Sequence, residues 1–237
     1  MTDAEPARAG RGRLITAAAI VAVLLGAGGF LIGYGTASAA RSSVAPPTTN
    51  SAAAGFLRDM QVHHAQAVEM ALLIRDRTDP HNPADDAIRQ LAYDITVTQA
   101  GQSGQMFGLL EAWNLPQASR APAMTWMSQP PIAGATDPSG TDAGDHQMDG
   151  MATDVVPGTM PGLATPAQMA ELTAASGTDA QRIFLTLMIA HHRGGVAMAD
   201  AVLARTTEPH VVSMATGIVA AQTSEITAMQ SLLAALG

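Results

Sequence analysis

The first apolar feature of the chain is an uncharged run from Leu14 to Gly35, preceded by Arg8, Arg11 and Arg13. As a helix its 22 residues would reach ~30 Å, the thickness of the hydrocarbon core of a bilayer. The pattern predicts a transmembrane anchor over 14–35, with the basic flank 1–13 cytoplasmic and the remainder outside. A cleaved signal peptide is the alternative. Ala37-Ser38-Ala39 fits the small-x-small cleavage pattern and would release a secreted protein near Ala39, although such apolar regions usually run only about 7 to 15 residues. Residues 36–55, rich in Ser, Thr, Pro and Ala without periodicity, read as a flexible tether.

Beyond the tether, apolar positions recur every three or four residues, which is the period of a helix. The segments Phe56–Ala71 and Phe184–Ala199 agree at eight of sixteen positions with an offset of 128, in the frame F-L-x-x-M-x-x-H-H-x-x-x-V-x-M-A. Pro-bearing turns at 78–83 and 206–209 end both helices and allow second ones to begin. Those second helices also correspond: Ile88, Leu91, Ile95, Gln99, Gln102, Met106, Leu109 and Leu110 align with Val211, Met214, Ile218, Gln222, Glu225, Met229, Leu232 and Leu233. One amphipathic hairpin cannot bury its own apolar stripe, whereas two can cover each other. The expected fold is therefore all-α, a four-helix bundle made of a first hairpin over 56–113 and a second within 166–237. A Pro-, Gly- and Met-rich crossover over 114–165 joins them, and a short helix starts at Pro166, capped by Thr165, and stops near Gly177.

Placed on a helical wheel, His63 and His64 share the apolar stripe with Phe56, Met60, Ala67 and Met70, while Glu69 points to solvent. Gln99 and Gln102 face inward on the second helix, as do Gln222 and Glu225 on the fourth. Burying such groups costs about 1 to 3 kcal/mol for each one left without a partner. Either an internal hydrogen-bond network or a bound ion must satisfy them. Small residues one turn beyond the His pairs, Ala67 and Gly195, would leave open volume beside the imidazoles.

Composition narrows the chemistry. All 12 basic residues are Arg and face 20 acidic ones, for a net charge of −8. A negative surface of that size repels phosphate backbones, so nucleic-acid partners are not expected. The absence of Cys removes disulfides, thiolate metal sites and Cys nucleophiles. No G-x-S-x-G motif and no Gly-rich phosphate loop occurs, and no enzymatic activity is expected. What remains is 14 Met and seven His. Imidazole with thioether is a soft-to-borderline donor set that suits copper, Cu(I) or Cu(II), ahead of Fe, Mn, Mg or Ca. A di-iron site on such a bundle would require Glu-x-x-His; here Met60-x-x-His63 and Met188-x-x-His191 stand in its place. Zinc is possible through the four His but gives no reason for the Met. Binding should weaken below about pH 6, where unperturbed imidazoles protonate. In the crossover, His146, Met148 and Met151 form a second candidate set, and Met124 and Met127 flank Trp126 as contacts anchoring the crossover to the bundle.

The duplicated M-x-x-H-H frame, the Q-x-x-[QE]-x-x-x-M helices and the Met-rich crossover resemble domain-of-unknown-function family 305. Its four-helix domains are similar to the ferritin-like class, and some members, the CopM-like proteins, are exported copper binders. The resemblance spans roughly residues 55–236 and implies a metal role for Met60, His63, His64, Met188, His191 and His192, and also for Met70 and Met198. The chain departs from the pattern in having a single His beside the Met residues of the crossover. The resulting expectation is a membrane-tethered protein that buffers or relays copper in the cell envelope, with an undetermined protein partner. The alternative is a structural or interaction module with a hydrogen-bonded polar core.

Overall fold

The computed structural model describes residues 46–135 and 159–237. The Leu14–Gly35 run and the Asp145–Met151 segment with His146, Met148 and Met151 lie outside the described residues. Within them the chain is all-α, and no helix is long and apolar enough to cross a membrane.

The first helix, α1, covers Ala52–Arg77. It starts ahead of the expected Phe56, so residues 52–55, read from the sequence as tether, are helical. Ser51 Oγ accepts the Ala54 N–H at 3.2 Å, and Ala52, Ala53 and Ala54, good helix formers, are buried in the core. Thr78 ends α1, its hydroxyl donating to the Ile74 carbonyl. Helix α2 follows as Asp86–Ala112, and its Arg89 reaches back to the carbonyls of Arg75 and Thr78 to brace the turn. After the crossover come α3, Pro166–Ala174, with a capping box between Thr165 and Gln168, then α4, Gly177–Leu203, and α5, Pro209–Ala235. Pro209 opens α5 where no donor is needed, and Glu208 accepts the Val211 N–H at 2.8 Å.

Helix α1 pairs with α2, α4 pairs with α5, and the two hairpins meet through α1 and α4. The apolar core falls into two clusters. One contains Phe56, Met60, Met106, Met198 and Ile218; the other contains Met70, Ile95, Phe184, Met188 and Met229. On every long helix the His, Gln and Glu residues lie between members of these two clusters, so they form a polar layer across the middle of the bundle. Met60 and its repeat partner Met188 fall in opposite clusters. The repeats are therefore related by a pseudo-twofold axis running through that layer.

The start of the crossover is anchored as expected. Trp126 lies edge-on to Phe56 with ring centroids 5.9 Å apart, and its Nε1–H donates to Asp59 Oδ2 at 2.8 Å. Asp59 also accepts the Met124 N–H at 2.7 Å. Gly55 leaves room for the indole, since a Cβ there would sit 2.6 Å from Trp126.

Candidate metal centre

His63 and His64 on α1, and His191 and His192 on α4, are all 0 % exposed, as are Met60, Met70, Met188 and Met198. His63 and His191, equivalent positions of the repeat, meet across the hairpin interface with ring centroids 3.8 Å apart and planes tilted by 37°. His191 and His192 rings lie 6.2 Å apart.

Each imidazole is held by its Nε2. His63 Nε2 donates to the Pro161 carbonyl at 3.0 Å and His191 Nε2 to the His63 carbonyl at 2.9 Å. His64 Nε2 lies 2.8 Å from Gln102 Oε1, and His192 Nε2 lies 2.7 Å from Glu225 Oε2. A carbonyl oxygen only accepts, so in His63 and His191 the proton is on Nε2. All four Nδ1 atoms are buried without a hydrogen-bond partner, and so are the side-chain amides of Gln99 and Gln222. Orphaned buried polar atoms are uncommon and costly.

Burial is the largest cause holding His63, His64 and His191 uncharged. It lowers the His63 pKa to about 4, with the neighbouring His192 adding to the effect and the Pro161 carbonyl opposing it. It lowers the His64 pKa to about 3, reinforced by His63. His191 is pushed well below the ordinary value by burial, then by His63 and His192. Three of the four rings therefore present a free Nδ1 lone pair at neutral pH. The expected onset of proton competition near pH 6 is corrected by this burial: in the folded chain His63 and His64 stay neutral well below it.

Other expectations change too. Gly195 does not leave open volume beside the imidazoles: a Cβ there would lie 2.3 Å from Gln222 Oε1, so the Gln222 amide fills the space. Glu225 is at the rim of the layer, its side chain 22 % exposed, and it accepts from His192 Nε2 at 2.7 Å. Its helical counterpart Gln102 is likewise half-buried. Among the described residues no three His, Asp or Glu side chains are grouped closely enough to enclose an ion.

The sequence reading missed the crossover's return. Pro161 and Gly162 lie against α4 so closely that a Cβ on Gly194 would be 2.0 Å from the Pro161 carbonyl. Gln66 holds the same strap, its amide pairing with both the N–H and the carbonyl of Ala164 at 2.7 and 2.8 Å. Two adjacent Gly inside a helix, Gly194 and Gly195, were the available signal of a close backbone approach.

A bundle of duplicated helices carrying paired buried imidazoles and thioethers at its waist is the class of protein these features define. The chain belongs to the family DUF305, a domain of unknown function, whose sequence profile it matches over residues 53–233. Among solved structures it is similar to a candidate secreted DUF305 protein from Streptomyces coelicolor, with 43 % identity and a TM-score of 0.64, over 80 % of this chain and 96 % of that one. A DUF305 fragment from Deinococcus radiodurans has 28 % identity and a TM-score of 0.56, over 80 % and 98 %. CopM in its Cu(II)-bound form has 22 % identity and a TM-score of 0.53, over 79 % and 98 %. No curated protein matches the chain.

Proposed function

We propose that the chain is an exported copper-binding protein, held in the membrane by Leu14–Gly35 with its bundle outside, that buffers or relays copper without turnover of its own. The observation that carries this reading is the set of four buried imidazoles with Nε2 engaged and Nδ1 unpartnered. Metal-bound imidazole takes this form: the outer N–H is fixed by a carbonyl or carboxylate and the other nitrogen is left for the ion. The donor set fits. Thioethers of Met60, Met70, Met188 and Met198 border the layer, a soft surrounding that favours copper over hard ions and leaves zinc second. An ion held by more than two imidazoles would draw the rings together by side-chain rotation. The likeness to CopM, a Cu(II) binder, is one of fold, and the candidate secreted relative supports extracytoplasmic placement. We read the two hairpins and long crossover as the ferritin-like form of the bundle.

One observation favours the structural alternative: every Nε2 is already paired, which a purely hydrogen-bonded layer would also show. Metal analysis of protein purified without chelators, with thermal unfolding in the presence and absence of copper, separates the two. A ligand that binds only the folded state at 100 times its Kd stabilises it by about 2.7 kcal/mol. A melting temperature indifferent to stoichiometric copper would end the copper reading.

A further inference from the structure

The two halves of the polar layer differ in the carbonyls that hold His63 and His191, and in the charge of the groups that hold His64 and His192. His64 and His192 are repeat equivalents, and so are Gln99 and Gln222, whose amides are buried and unpartnered in both halves. The groups that hold the outer nitrogens of His64 and His192 are also equivalent, at the same register of α2 and α5. In the first half the acceptor is the neutral amide of Gln102, at 2.8 Å; in the second it is the carboxylate of Glu225, at 2.7 Å. Asp94, which has Gly217 at its equivalent position, bonds to Gln90 and not to an imidazole, and its charge and that of Glu225 repel one another. The repeat thus supplies its own control, with near-isosteric acceptors of different charge on matched imidazoles.

We propose that Glu225 is a specificity-determining positioning residue that makes the His192 side of the layer favour a divalent ion over a monovalent one, a preference that the Gln102 side lacks. The proposal rests on the copper reading above and adds to it which side of the layer discriminates between ions by charge. A carboxylate on the outer N–H makes the imidazole a more basic ligand, and its own charge attracts the ion through the ring. That attraction scales with ionic charge. Whatever factor that attraction contributes for a monovalent ion is therefore squared for a divalent one. An amide offers the same hydrogen bond without the charge, so Gln102 orients His64 with no such preference.

The test uses the full chain, with Cu(II) and Ag(I) as probes, Ag(I) standing in for Cu(I), in chelator competition titrations. Glu225→Gln should weaken Cu(II) binding by about 10 to 100-fold, the usual cost of removing an outer-shell partner, and Ag(I) binding by only about 3 to 10-fold, its square root. Glu225→Asp should restore much of the Cu(II) affinity. Gln102→Glu should strengthen Cu(II) binding by about 10 to 100-fold and Ag(I) binding by only about 3 to 10-fold. Equal loss for both ions in Glu225→Gln, or no loss in either, would overturn the assignment while leaving copper binding intact. If Glu225→Gln does not fold, Gln102→Glu decides alone, and no gain in Cu(II) affinity would overturn the proposal. Wild-type protein that takes up neither ion would overturn the copper reading itself, and that result is visible before any variant is made.

Discussion

Acid should unfold the metal-free protein sooner than its carboxylates alone would dictate, and the cause is the buried imidazoles. In the unfolded chain a His protonates near pH 6.5, whereas burial holds His63 at about 4 and His64 at about 3. At pH 5 the unfolded state carries nearly one proton on each and the folded state nearly none. Stability then falls by 1.36 kcal/mol per unit over about 1.5 units, or about 2 kcal/mol for each ring and about 4 kcal/mol for the two. The sign follows from a depressed folded pKa: the contribution is complete above pH 6.5 and lost as pH falls toward about 4 and 3. His191, also depressed by burial, acts in the same direction. Asp59, Asp94 and Asp200, raised chiefly by burial, oppose the trend as they protonate at lower pH. A loss of about 4 kcal/mol is a large share of the 5–15 kcal/mol of a typical domain. Urea unfolding of copper-free protein, followed by far-ultraviolet circular dichroism between pH 7 and pH 5, should show the midpoint dropping with little change in slope. A midpoint that stays constant across that interval would refute the reasoning, because it would mean that the imidazoles accept protons without unfolding.

His63→Ala with His64→Ala, and separately His191→Ala with His192→Ala, should each abolish most copper binding if ligands from both hairpins share the layer. A halved copper stoichiometry in either double variant would instead assign one ion to each repeat. Gly194→Ala places a methyl against the Pro161 carbonyl, 2.0 Å away before any adjustment, and should cost about 1–3 kcal/mol in thermal unfolding. An unchanged melting temperature would show that the strap yields freely. Trp126→Ala empties a site that is 4 % exposed and leaves Asp59 short of a donor, for about 3–5 kcal/mol. Trp126→Phe, which loses only the bond to Asp59, should cost about 1–2 kcal/mol by the same assay.

The helices and their pairing were legible because a period of three to four residues and a repeat at a fixed offset are local signals, and both survive in Phe56–Ala71 and Phe184–Ala199. The start of α1 was less so. Ala52, Ala53 and Ala54 offer little hydrophobic contrast, and only the Ser51 cap marks the boundary. The identity of the inward residues was readable from the wheel, but their partners were not. Which nitrogen of His63 is engaged depends on the Pro161 carbonyl, 98 positions away, and no local pattern encodes that approach. The two Gly of α4 signalled that something packs closely. What packs there, a carbonyl against Gly194 and an amide against Gly195, follows only from the folded chain.

The repeat and the chemistry constrain one another. A pseudo-twofold relation brings His63 and His191, the same residue of each copy, against each other at 3.8 Å. Two imidazolium ions at that distance would repel by about 4 kcal/mol at an effective dielectric of about 20, before the cost of burying either charge. The duplicated arrangement therefore disfavours charge on both rings at once, and burial further favours the uncharged forms. Uncharged rings whose outer N–H groups are spoken for leave their remaining lone pairs as the open valence of the layer. Symmetry alone would make the two halves identical in that respect. It is broken in two places, by the Pro161 carbonyl on His63 and by Glu225 opposite Gln102. Of these two differences the second alters charge on a group that holds an imidazole, which is where a preference between ions of different charge would originate.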